Sequence, residues 1–97
     1  MMDITLAPPL SRLVARVAND APISSAELGT LTRAARTHGH MARWNMDVAI
    51  QRGPTHVWAT TAEMFLQDAY AHARLAFRLA EARRVAGARG PSQSRVT

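Results

Sequence analysis

The residues of this chain best suited to chemistry are four histidines and one nearby carboxylate. His38 and His40 are two positions apart, so on a helix they point about 200° away from each other and cannot share a metal ion without a bend. Asp68 and His72 are four positions apart, a spacing that allows a hydrogen bond on one helix face. No glycine-rich phosphate loop, paired carboxylates or His-Glu-x-x-His motif accompanies them. The sequence therefore predicts a non-enzyme with no metal site, no cofactor and no small-molecule substrate.

Length and composition narrow the protein class further. A chain of 97 residues builds one domain with a single modest core. Cysteine is absent, which excludes disulfides, a thiolate nucleophile and a Cys-ligated zinc site. The start, Met1 to Thr5, lacks a basic segment followed by an apolar run, and no run of about 18 apolar residues follows anywhere. We therefore expect a cytoplasmic protein that does not enter a membrane.

The charge suggests an anionic partner but does not by itself identify one. The net charge is +5, the sequence pI is about 11.5, and all twelve basic residues are arginine. One DNA-binding alternative is a helix-turn-helix with helices at 26–38 and 41–51 around a turn at Gly39, presenting Arg43, Asn45 and Gln51 to a groove. Against it, Asn45 occupies a position where that motif normally buries an aliphatic residue. We expect no direct nucleic-acid binding and keep the helix-turn-helix as the alternative.

Two helices are predicted in the first half of the chain. Pro8-Pro9 favours the start of a short helix that continues through Leu13 and Val17 and stops at Asn19-Asp20. Ser24 and Glu27 form a capping box, in which each side chain satisfies the other residue's free backbone N–H. The apolar pattern keeps its phase across Gly39, so we predict one long helix over about residues 25–51.

A third helix is predicted after the break at Gly53-Pro54, with Thr55 as its N-cap and its end near Ala86. Residues 87–97 contain Gly, Pro and Ser with almost no apolar anchor, which predicts a disordered C-terminal tail. The domain organisation is thus one helical domain at 1–86 and a tail at 87–97.

The third helix has more apolar surface than one other long helix can cover. A line of alanines is flanked by Met64 and Leu75 on one side and by Leu66, Tyr70 and Phe77 on the other. We predict a homodimer, since a second copy would cover the excess. If the first helix folds over the second flank, the protein is a monomer instead. The predicted fold is all-α, with two long antiparallel helices plus a short N-terminal helix in a helical-bundle homodimer. The predicted dimer interface consists of Leu66, Tyr70, Ala73, Ala76 and Phe77.

Three short segments resemble a known family. They are Leu28-Gly-Thr-Leu-Thr-Arg-Ala-Ala-Arg-Thr-His38, Gly53-Pro-Thr-His-Val57 and Ala62-Glu-Met64. They resemble segments of the TraM quorum-sensing antiactivators of agrobacterial and rhizobial conjugative plasmids, over about residues 22–80. The resemblance implies a mainly two-helix protomer that dimerises and binds a LuxR-type transcription activator, which then no longer holds its promoter DNA.

We place the predicted partner-binding surface on an exposed polar edge beside these segments. Its side chains are Arg36, His38, Arg43, His56 and Trp58, because Trp and Arg are the usual energetic anchors of protein interfaces. A phage-type inhibitor of some other host protein would fit the same features and stays a second alternative.

Overall fold

The computed structural model describes residues 4–52 and 59–89 of the chain. Within these ranges it contains three α-helices and no strand: α1 at Pro8–Ala18, α2 at Ser25–Arg52 and α3 at Ala59–Arg89. The predicted all-α class and helix order are confirmed. None of the described helices has both the length and the hydropathy needed to span a membrane.

The short helix α1 begins and ends where its sequence indicates. Prolines occupy its first positions, where a backbone N–H would have no helical partner. At its end, the Asn19 side chain donates a hydrogen bond of 2.9 Å to the Ala15 carbonyl. Asp20 follows in the left-handed region with φ of 58°, a conformation that cannot continue the helix. Leu13 and Val17 are buried, so α1 packs through one apolar stripe.

The capping box at the start of α2 is confirmed. The Ser24 backbone N–H donates to Glu27 Oε1 at 2.9 Å, and the Glu27 N–H donates to Ser24 Oγ at 3.1 Å. Arg16 of α1 also reaches this carboxylate, with Nη1 2.6 Å from Oε2. The Arg16 hydrogen bond, followed by that from the Ser24 N–H, holds the pKa of Glu27 below its usual value. One carboxylate therefore caps α2 and ties α1 to it.

Gly39 lies inside an uninterrupted α2, as predicted. The turn that a helix-turn-helix needs at this position is therefore missing, because residues 38–40 are all helical. A Cβ atom built on Gly39 would meet nothing within 4 Å. The glycine is thus not required by close packing within the described residues.

Helices α2 and α3 run antiparallel along most of their length. Thr32 is hydrogen-bonded by Arg83, His38 meets His72, and Trp44 meets Phe65, so positions rise along α2 as they fall along α3. Where α1 joins them, the three helices enclose the main core, which we call the three-helix end. Its buried residues are Leu6, Leu13, Val17, Ile23, Leu28, Leu31, Leu75, Leu79, Ala82 and Ala86.

Beyond the His38–His72 level, α2 and α3 are the only helices among the described residues, and we call residues 39–52 and 59–71 the two-helix arm. Its buried positions are small or polar: Asn45, Ala49, Ala62 and Ala69. The Asn45 amide donates a hydrogen bond of 2.8 Å to the Met41 carbonyl, which satisfies its buried nitrogen. Because the buried side chains are small, the two helices can approach closely without enclosing a large core.

The alanine line predicted for α3 is only partly buried. Ala62 and Ala69 face α2, whereas Ala73 and Ala80 are exposed. In the second half of α3 burial shifts to Leu75, Leu79, Ala82 and Ala86, because α1 packs against that side. The alanine line thus faces α2 only in the N-terminal half of the described helix.

The end of α3 lies later than predicted. The helix continues through Gly87 to Arg89, so the boundary placed at Ala86 was three residues early. Arg89 explains the extension, since its guanidinium lies 2.8 Å from Asp20 Oδ1 and donates to the Val17 carbonyl at 3.1 Å. The Thr55 N-cap and the rest of the predicted tail, residues 90–97, lie outside the described residues.

Candidate functional site

An apolar band runs along the outside of α3. Tyr70 is 57% exposed and Phe77 is 70% exposed. We call five residues of this surface the α3 band: Leu66, Tyr70, Ala73, Phe77 and Ala80. Their separations along the chain alternate between four and three residues. This is the a/d spacing with which one helix packs along another. The band therefore has the pattern of a helix-packing seam, but no helix in the described part of the chain packs against it.

The predicted dimer residues largely coincide with this band. Tyr70, Ala73 and Phe77 are exposed, and Leu66 and Ala76 are half-buried. Helix α1 packs on α3 but leaves Tyr70 and Phe77 uncovered. The alternative in which the first helix folds over this flank is therefore not the arrangement observed.

A second exposed surface lies on α2 around Trp44, with Arg36, His40, Met41 and Arg43, and we call it the Trp44 face. The Trp44 ring meets Phe65 of α3 edge-on, with centroids 5.8 Å apart, yet 57% of Trp44 remains exposed. Trp44 and Met41 thus lie mainly on the outside of α2, and the buried residues among its described side chains are Leu28, Leu31, Asn45 and Ala49.

The predicted partner-binding residues do not share one surface. Arg36 and Arg43 are exposed and are seven positions apart, which places them on the same side of α2. His38 is half-buried between α2 and α3, about 200° around the helix from Arg36. His56 and Trp58 lie outside the described residues. The structure thus keeps two of the five on the Trp44 face and assigns His38 to an internal contact.

His38 and His72 form a cross-helix pair that sequence spacing did not reveal. Their Nδ1 atoms are 2.9 Å apart and their ring centroids 5.1 Å apart. His72 therefore pairs with His38 and not with Asp68, the partner that helical spacing suggested. Residues 34 positions apart become neighbours through the antiparallel packing of the two helices, which no local motif encodes.

The His38–His72 contact depends on the protonation of the two rings, and no third histidine or acidic side chain in the described residues joins them in a metal-binding group. Burial, and then the nearby His72, lower the pKa of His38 below its ordinary value of 6.5. One Nδ1 must accept while the other donates, so the contact needs at least one neutral ring. Among residues 4–52 and 59–89, no group of three or more histidine or acidic side chains is placed to hold a metal ion. Two imidazoles fall short of the three or four protein ligands of a zinc site.

Comparisons with known proteins were made at three levels. No protein-family model, curated protein or solved structure matches this chain. The similarity to the TraM antiactivators therefore stays a prediction from its three short segments.

Proposed function

We propose that this protein is a small helical inhibitor that acts by binding another protein, a LuxR-type transcription activator, and prevents it from holding promoter DNA. It works as a homodimer and uses no cofactor. The observation that carries the proposal is the distribution of large apolar side chains in the two-helix arm. Met41, Trp44, Ile50, Met64 and Tyr70 are all exposed there, while small residues fill its interior. Exposed apolar clusters of this kind mark protein-interaction surfaces.

Protein binding explains the charge better than DNA binding does. Exposed arginines occur on all three helices, for example Arg12, Arg36 and Arg78. A DNA reader gathers its basic residues on one face and inserts a helix into a groove. The unbroken α2 also removes the turn on which the helix-turn-helix alternative depended.

The two exposed surfaces suit two different contacts. The α3 band is apolar with helix-packing spacing, so it is the candidate surface for the second copy. The Trp44 face combines an aromatic ring with Arg36 and Arg43, the residue types that dominate binding energy at heterologous interfaces. The positive charge of this face favours a partner with an acidic surface, since complementary charges speed the encounter of two proteins.

A gel shift with a LuxR-type activator and its promoter fragment tests the proposal. Adding this protein should abolish the activator–DNA band and should give no band of its own. If the protein alone shifts the promoter fragment at physiological salt, the inhibitor proposal fails. If it neither shifts DNA nor displaces any tested activator, the LuxR-type partner is wrong and another host protein is the target.

Variants of the Trp44 face make the test residue-specific. We expect Trp44→Ala to raise the concentration needed for half-displacement by about 30-fold, the effect of a typical interface hot spot. Arg12→Ala is the control, since Arg12 is also exposed but lies on α1, away from the Trp44 face. Equal potency of the Trp44→Ala variant and the wild type would move the activator-binding site off this face.

A further inference from the structure

Phe77 stands between two apolar hollows on the surface of α3. One hollow, of about 420 Å³, includes Tyr70, Ala73 and Phe77 in its wall. The other, of about 350 Å³, is a groove between α1 and α3. Phe77 itself is 70% exposed, so it projects beside both hollows without filling either. The same small area therefore offers a protruding aromatic ring and an apolar groove that could receive one.

The α1–α3 groove is built from both helices. Val14, Val17 and Ala18 line it from α1, and Phe77, Ala82 and Val85 line it from α3. Three charged residues, Asp20, Arg78 and Glu81, complete its lining. Ala18 is exposed and Val14 and Val85 are half-buried, so these side chains still have apolar surface to cover. A groove of this composition favours an aromatic or aliphatic side chain as its occupant.

The heptad spacing defines a register in which a second copy would supply that side chain. In an antiparallel pair of α3 helices, Phe77 can lie opposite Ala80 of the partner subunit, where the small, exposed alanine allows close approach. Each Phe77 is then near the other copy's α1–α3 groove. The arrangement is two-fold symmetric, so the same contact forms twice, as a closed dimer requires.

The charges along α3 agree with this register. With Phe77 opposite the partner subunit's Ala80, position 74 comes opposite the partner subunit's Arg83, which is hydrogen-bonded to Thr32 of its own chain. The partner subunit's Glu81 is two residues from that level and on the same flank as Arg74, within reach of its long side chain. Arg74 has no ion pair in the described part of the chain. Glu81 is bonded to Arg84 on its own helix, but 47% of its side chain is still exposed and can accept a second cation. A parallel pairing would place residues 74 and 81 of the two copies on opposite sides of the seam, so Arg74 could not meet the partner subunit's Glu81.

We propose that Phe77 of each copy occupies the α1–α3 groove of the other, so that α1 is part of the dimer interface. The proposal rests on the dimerisation in the proposed function and names the groove, the side chain and the register that form it. It also gives α1 a second role, because the helix completes the core on one side and forms one wall of the groove on the other.

The direct test empties or fills the groove and measures the dimer dissociation constant by sedimentation equilibrium. Phe77→Ala removes the occupant and should weaken the dimer by at least about 30-fold. Ala18→Phe fills the groove from the exposed end of α1 and should weaken it comparably, although Ala18 lies outside the predicted α3 interface. Ala15→Phe, also exposed on α1 but outside the groove, is the matched control and should leave the constant unchanged.

A charge exchange tests the register independently. Arg74→Glu and Glu81→Arg should each weaken the dimer roughly fivefold. The double variant should regain most of the loss, because it restores opposite charges across the two-fold axis. A double variant weaker than either single variant would overturn the antiparallel register.

The outcomes separate this inference from the proposed function. If the wild type dimerises and both Phe77→Ala and Ala18→Phe leave the constant unchanged, the groove proposal is wrong while the dimer stands. If the wild type is a monomer but still displaces an activator from DNA, the groove proposal falls and the inhibitor function survives. The third outcome is a dimer that Phe77→Ala and Ala18→Phe weaken, that Ala15→Phe leaves unchanged, and that displaces no activator. It would leave the groove proposal intact and remove the LuxR-type function.

Discussion

The three-helix end and the two-helix arm place their large apolar residues in opposite ways. At the three-helix end, Leu31 and Leu79 are completely buried between the helices. In the arm, the interior is filled by Asn45 and alanines, and Trp44 and Ile50 point outward. Burial of large aliphatic side chains is what stabilises a fold most per residue. The difference indicates that the three-helix end holds the protomer together, whereas the arm presents surface for binding.

The α3 band connects the two regions. Tyr70 belongs to the arm and Phe77 lies beside the α1–α3 groove of the three-helix end. A second copy on this band would cover apolar surface from both regions, while the Trp44 face would remain open on α2. In the proposed function, this division would let each molecule dimerise and bind a partner at the same time.

The largest expected effect distinguishes the two regions by stability. Leu79→Ala should lower the free energy of unfolding by about 2–5 kcal/mol, because it leaves a cavity at a fully buried site. Ile50→Ala removes a similar side chain from the arm, at a position that is 66% exposed. It should change the free energy of unfolding by less than about 0.5 kcal/mol. Urea unfolding at one fixed protein concentration measures both. Equal losses would show that the arm is as tightly packed as the three-helix end.

A second prediction concerns the α3 band alone. Ala73→Arg should convert the dimer to a monomer, because a long charged side chain would be buried unpaired at a close helix crossing. Light scattering at tens of micromolar should then give 10.6 kDa, against twice that mass for the wild type. Thr37→Arg adds the same charge to the exposed side of α2 and should keep the dimer mass. A wild-type mass of 10.6 kDa would remove the dimer altogether.

A third prediction concerns the continuity of α2 where the arm begins. Gly39→Ala should raise the free energy of unfolding by about 1 kcal/mol, since alanine favours the helix and its Cβ meets no neighbour. Gly29→Ala is the matched control, because its Cβ would lie 3.3 Å from Arg33 Nη1 and part of the gain should be lost. Thermal unfolding compares the two. A destabilised Gly39→Ala variant would mean that the arm needs a bend at this residue.

The smallest expected effect is a pH dependence at the junction of the two regions. The folded-state pKa of His38 is lowered, so the unfolded chain takes up a proton more readily. The contribution of neutral His38 to the free energy of unfolding is therefore fully present above about pH 6.5 and decreases as the pH falls below that value. Asp68 lies one helical turn from His72 on α3.

Two glutamine variants, compared with each other, measure this pH dependence of stability. His38→Gln should flatten the decline of stability between about pH 7 and 5.5, whereas His40→Gln, which is exposed, should not. Parallel curves for wild type and the His38→Gln variant would show that the histidine contact does not contribute.

Much of the helical architecture could be predicted from the sequence because its signals are local. Pro8-Pro9, the Ser24–Glu27 capping box and the unbroken apolar phase across Gly39 each act within a few residues. The α3 band was also visible, because a 3–4 spacing of apolar residues on one helix needs no partner to be recognised. What these signals could not indicate is which side of each helix the other elements would cover.

The sequence by itself determined three helices, the capping box of α2, the lack of cysteine chemistry and an excess of apolar surface on the last helix. Tertiary structure alone decided that His38 meets His72, that Trp44 is outside and Asn45 inside, and that Arg89 extends α3 by binding α1. The physical reason is range: capping and helical periodicity depend on neighbours three or four residues apart. Contacts between positions 34 or 69 residues apart depend on how two helices are rotated against each other. That rotation follows from the packing of all three helices together and not from any one segment.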